Sequence, residues 1–169
     1  MEDEPPRILI AGLGNFLLGD DGVGVHVVRE LAKDPPPGTL VVEVGTAVLD
    51  ALHLFEEAEN ILAVDAMTAG GKPGTVYSLP ASGIAAPGAE ESLHALNIIA
   101  ALRLLKNNPL VLVLGVEPRT IDYGIELSAE VRSVIPVVIY SIRETVKSWR
   151  KGLGAPRGPS RAPENLRPF

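Results

Sequence analysis

Four short, nearly unbroken apolar runs constrain this chain more than any other feature: RILIA at Arg7–Ala11, LVVEV at Leu40–Val44, NILAV at Asn60–Val64 and LVLVLGV at Leu110–Val116. A strand with one face in water alternates apolar and polar residues. A continuous apolar run is buried on both faces, as in a parallel sheet covered by helices on either side. Helical patterns lie between the runs. Gly22–Lys33 carries Val25, Val28, Leu31 and Ala32 on one stripe and is stopped by Asp34-Pro35-Pro36-Pro37-Gly38, while Val48–Ala58 groups Leu49, Leu52 and Phe55. A further strand, Gly74–Leu79, follows the Gly70-Gly71 turn. Ser92–Leu105 reads as a helix apolar nearly all round, and Ser128–Trp149 as a last helix that Pro136 should kink or break.

Strands and helices alternating at this spacing predict a three-layer α/β/α sandwich around a mostly parallel five-stranded sheet. The 169 residues suit one domain, placed at 7–151 after an extension at 1–6. Residues 152–169, rich in Gly and Pro and without periodicity, read as a disordered tail.

Composition excludes several functions. With 21 Asp and Glu against 15 Lys and Arg the net charge is −6, and aromatics are only 4%, so the basic footprint of a nucleic-acid binder is missing. There is no cysteine, which removes disulfides, thiol catalysis and thiolate metal sites. MEDEPPR lacks the basic, then apolar order of a secretory signal, and no apolar stretch approaches the roughly 18 residues of a membrane span. A cytoplasmic protein without a membrane partner is expected.

Chemistry in an open α/β sheet collects just past the carboxyl ends of the strands. The residues there are Asp20 and Asp21 after the first strand, Thr46 after the second, Asp65 after the third and Glu117 after the last. A carboxylate closing an apolar strand, as in ILAVDAM, is costly unless hydrogen-bonded, paired or coordinating a metal. His94 falls in the first turn of its helix, whereas His26 and His53 each precede a glutamate by four residues, Glu30 and Glu57, and read as exposed helix faces with ion pairs. Asp21, Asp65 and His94 form a two-carboxylate, one-imidazole set able to hold a borderline divalent cation with open positions. A dinucleotide is disfavoured: Gly12-x-Gly14 is followed by Leu17 where a third glycine is required, and Asp20 and Asp21 would repel phosphates.

The stretch ILIAGLGNFLLGDDGVGVHVVREL resembles the opening signature of the hydrogenase maturation endopeptidases. Gly45-Thr46, Asp65-Ala66, Ser92-Leu93-His94 and GVEPRTIDYGIELSAEV from Gly115 to Val131 follow in that family's order and approximate spacing. The resemblance implies an enzyme that trims the C-terminal extension from the large-subunit precursor of a [NiFe] hydrogenase after nickel insertion. It also implies Asp21, Asp65 and His94 as the catalytic and metal-binding trio, with nickel presented by the precursor, and Asp20 as a helix cap. A monomer meeting its substrate transiently is the simplest expectation. Two alternatives stand beside this reading. A nonenzymatic nickel-binding accessory protein would use the same trio, and Gly12-Leu13-Gly14-Asn15 also resembles the start of peptidyl-tRNA hydrolases, although Phe16 replaces their proline and their His-Asn element is missing.

Overall fold

The computed structural model describes residues 7–80 and 100–154. Five strands form one sheet: β1 (Ile8–Leu13), β2 (Thr39–Gly45), β3 (Asn60–Ala66), β4 (Val76–Pro80) and β5 (Leu110–Val116), in the order β2-β1-β3-β5-β4. All neighbours pair in parallel except the edge strand β4, which runs antiparallel to β5. Three helices are described, α1 (Val23–Leu31), α2 (Leu52–Glu57) and α3 (Ala129–Arg150), with a 3-10 turn at Gly19–Gly22 leading into α1.

The apolar runs explain the layering. Successive residues of a strand point to opposite faces. Ile8, Ile10, Leu62, Val64, Leu112 and Leu114 therefore pack with α1 and α3 on one face, and Leu9, Ala11, Ile61, Ala63, Val111 and Val113 pack with Phe55 of α2 and Ala101 on the other. This is the three-layer sandwich expected from the sequence. From β1 the chain steps outward to β2 and then back past β1 to β3. Parallel crossovers are right-handed, so reversing the direction of travel puts α1 and α2 on opposite faces. The reversal opens a crevice between the carboxyl ends of β1 and β3.

Gly24 sets how closely α1 lies on the sheet. A Cβ there would sit 2.1 Å from the Val64 carbonyl oxygen and 2.4 Å from that of Leu13. Only a residue without a side chain fits.

Several sequence expectations are corrected. Pro136 neither breaks nor interrupts α3, which runs unbroken from Ala129 to Arg150. Pro136 lies on the solvent side, where water can satisfy the carbonyl that loses its N–H partner. The second helix begins only at Leu52. Residues 47–51 are turns tied by Ala47 N to Val44 O and Ala51 N to Val48 O, so helical spacing does not apply to Leu49. Leu49 is accordingly 64% exposed, while Val48, Ala51 and Phe55 are buried. The expected helix Ser92–Leu105 and the tail at 152–169 lie largely outside the described residues, and the extension at 1–6 lies wholly outside them. Among the described residues no helix is long and apolar enough to cross a membrane.

Candidate functional site

Four acidic side chains are buried in the described residues: Asp20, Asp21, Asp65 and Glu117. All four follow or close a strand on the carboxyl side of the sheet, yet their surroundings give them different work.

The Asp21 backbone and the Asp65 side chain both border Gly14, which follows β1. Gly14 has a φ of 105°, and a Cβ placed on it would meet the Asp21 carbonyl oxygen at 1.9 Å and the Asp65 Oδ1 at 3.4 Å. The glycine thus lets the 3-10 turn carrying Asp21 close over the end of β3. Asn15 N donates to Asp21 Oδ2 at 2.9 Å, and Ala66 N donates to Asp65 Oδ1 at 2.8 Å. Each backbone donor fixes the orientation of a carboxylate. Gly14 N in turn donates to Gly45 O at 3.1 Å, tying the crevice to the end of β2. The result is two oriented, nearly solvent-free carboxylates at the switch point between β1 and β3.

Asp20, adjacent in sequence, is an anchor. Its carboxylate accepts from Arg119 N (2.9 Å), Thr120 N (3.3 Å), Ser128 N (2.7 Å) and Ser128 Oγ (2.8 Å). It therefore holds the connection from β5 to α3 against the turn that carries Asp21. The expectation that Asp20 caps its own helix is wrong, since the residue at the N-cap of α1 is Gly22 with no side-chain cap bond. The four donors all come from distant sequence, which local capping rules cannot see.

Glu117 is likewise structural. Its Oε2 accepts from Ala69 N at 2.8 Å and from Tyr77 Oη at 2.7 Å, locking the β3–β4 connection. Burial, aided by the neighbouring Glu117 carboxylate, pushes the Tyr77 phenol up to about 12. Thr46 is exposed at the end of β2. His94 lies outside the described residues, among which no group of three acidic or imidazole side chains could hold a metal ion.

The other histidines depart from their expected ion pairs. His26 Nε2 meets the Ile125 carbonyl at 3.0 Å, and its ring lies 5.0 Å from that of Phe16, while Glu30 pairs with Lys33 instead. His53 Nδ1 meets the Asp50 carbonyl at 3.1 Å. Burial pulls the His26 imidazole below its ordinary 6.5; the Ile125 carbonyl and Glu126 oppose this, and Arg29 and Arg132 add to it. An unfolded chain therefore takes up this proton at higher pH than the folded one, so stability falls as pH drops through 6.5 and levels off below the folded value. Urea unfolding at pH 7.5 and 5.5 should show this loss, and His26→Gln should diminish it.

Two buried carboxylates at the switch point of a covered α/β sheet, beside a loop that lacks the third glycine of a dinucleotide site, suit a cation or acid–base chemistry rather than a nucleotide. Comparison with known proteins makes the class specific. Residues 25–145 match the hydrogenase maturation protease family, and the chain belongs to that family. It is 32% identical over 155 residues to the hydrogenase expression/formation protein HupD of Rhodobacter capsulatus, an alignment covering 86% of this chain and 74% of that protein. The [NiFe] hydrogenase maturation protease HybD of Thermococcus kodakarensis superposes with a TM-score of 0.71 at 30% identity, covering 82% of this chain and 97% of that one. The fold is also that of the hydrogenase maturating endopeptidase HybD of Escherichia coli, with a TM-score of 0.74 at 24% identity over 88% of this chain and 96% of that one.

Proposed function

We propose that this maturation protease removes the C-terminal extension of a [NiFe] hydrogenase large-subunit precursor once nickel has been inserted, and that Asp21, Asp65 and His94 meet the metal the precursor carries. The observation that supports this most is that Asp21 and Asp65 are both buried and both border Gly14, at the place where this topology opens toward a ligand. Nickel here is part of the substrate. The absence of cysteine suits that arrangement, because the thiolates would belong to the precursor.

The donor set fits a borderline cation with open positions: two carboxylate groups already aimed by backbone N–H donors, completed by an imidazole from the Ser92-Leu93-His94 segment. A cation at that point would polarise the scissile carbonyl or acidify a water. The chain's own residues do the rest. The carboxylates bind and orient, and one of them takes the proton from the attacking water and returns it to the leaving amide nitrogen. The C–N bond breaks, leaving a new carboxylate on the large subunit and a free amine on the released peptide. Burial of the pair strengthens its hold on a cation, because little water competes.

The test is a mass measurement on purified precursor, nickel-loaded and nickel-free, after incubation with the protein. Loss of a C-terminal peptide from the loaded form alone is the expected result. Binding without a change in mass would replace the protease reading with that of an accessory protein, and cleavage regardless of nickel would remove the metal from the mechanism.

A further inference from the structure

The connection from β5 to α3 is held rigidly yet turns its apolar side chains outward. Ile121, Tyr123 and Ile125 are 48%, 95% and 50% exposed, and Leu17, on the segment beside them, is 60% exposed. The two segments are stitched together: Gly124 N donates to Leu17 O at 2.9 Å, and Gly19 N donates to Gly124 O at 2.7 Å. His26 reaches the Ile125 carbonyl, and Asp20 grips Arg119, Thr120 and Ser128. Among the described residues nothing in the packing calls for these four side chains to face water. Grouped exposed apolar residues mark contact surfaces, and a segment already ordered forfeits little entropy on binding.

From this we infer that the surface carrying Leu17, Ile121, Tyr123 and Ile125 is the dock for the protein substrate beside its scissile segment. The inference rests on the proteolytic reading above. Continuity with the site identifies the occupant. Asn15 donates its N–H to Asp21 and accepts from Leu17 N on its own Oδ1 at 3.0 Å, so Leu17 is bonded to the residue that aims the carboxylate. Asp20 likewise joins residues 119–128 to the turn that carries Asp21. A polypeptide that places a peptide bond at Asp21 and Asp65 has this surface as its rim.

Charge defines the chemistry of the contact. Most ionic groups around the patch are matched within the protein, Arg119 to Glu130 at 2.6 Å and Arg132 to Glu126 at 2.5 Å, while Arg29 lies over the Phe16 ring and is bonded to Glu43. Asp122, exposed between Ile121 and Tyr123, accepts from the Thr120 hydroxyl and has no cation against it among the described residues. What remains for a partner is apolar and aromatic contact around one carboxylate. The matching surface on the precursor is apolar, with a donor or cation to meet Asp122.

The experiment compares the wild-type chain with the double variant Ile121→Ser, Tyr123→Ser, both sites being exposed and outside the catalytic set. Affinity for nickel-loaded precursor and cleavage kinetics are measured on each. Removing two apolar anchors from one contact should weaken binding about tenfold or more, with KM raised to match and kcat changed by less than about twofold. Unchanged affinity with cleavage intact overturns the dock and leaves the protease reading standing. Weakened binding by the variant, without cleavage by either protein, upholds the dock and defeats the protease reading. If the substitutions instead dissociate a dimer in sedimentation and leave precursor affinity unchanged, the surface belongs to a second copy of this chain and the inference falls. Wild-type protein that neither binds nor cleaves the precursor defeats both.

Discussion

Asp65→Asn should leave a folded protein whose cleavage of nickel-loaded precursor is reduced by about 10²–10⁴-fold, the range spanned by a positioned acid or base. Asparagine keeps the shape of the side chain and can still accept the 2.8 Å bond from Ala66 N through its amide oxygen. It removes the negative charge that would bind a cation and the basicity that would take a proton. Circular dichroism and urea unfolding check that the domain persists, and precursor mass against time reads the chemistry. Full activity in Asp65→Asn, or in His94→Ala, would refute the assignment of that residue. Asp20→Asn should behave differently. An amide cannot accept at both ends, so one of its two oxygens' sets of donors would be left facing an NH₂ group. Stability should fall in that variant along with activity, a combination that separates the anchor from the proposed catalytic pair.

The second large effect is expected at Gly14. Alanine at a φ of 105° is strained, and its Cβ would lie 1.9 Å from the Asp21 carbonyl oxygen, so the turn bearing Asp21 must move. Backbone strain and overpacking together should cost on the order of 2–5 kcal/mol in urea unfolding. Because the forced movement falls on the turn that carries Asp21 beside Asp65, cleavage should fall further than the loss of stability accounts for. A Gly14→Ala protein of normal stability and activity would mean that the turn and β3 need not approach as closely as they do here.

Much of the fold was legible because it follows local rules. The apolar runs marked β1, β2, β3 and β5 within one or two residues of their observed ends, and the turn chemistry around Gly70-Gly71 placed β4. The misreadings came where context overrides periodicity. Leu49 belongs to a turn rather than to a helix face, and Pro136 is tolerated because its side of α3 meets water. His26 spends its ring on a carbonyl 99 residues away instead of on Glu30.

The site divides in the same manner. Strand-end position and residue type are enough to single out Asp20, Asp21, Thr46, Asp65 and Glu117, and the order of motifs selects Asp21 and Asp65 from them and adds His94. Two adjacent aspartates look alike in a sequence. Only the folded chain separates them, by turning Asp20 toward four donors from residues 119–128 and Asp21 toward Asn15 and Gly14. Glu117 illustrates the same limit, since Ala69 and Tyr77 hold it in a clamp that no spacing announces. The amino-acid sequence by itself determined the sandwich, the strand ends at which chemistry can sit and the family, because these depend on periodicity, turn residues and ordered motifs close along the chain. The tertiary structure alone decided which buried carboxylates anchor distant segments and which stay at the crevice beside Gly14, because a carboxylate's role depends on the donors that reach it, and those of Asp20 and Glu117 arrive from parts of the chain that only folding brings together.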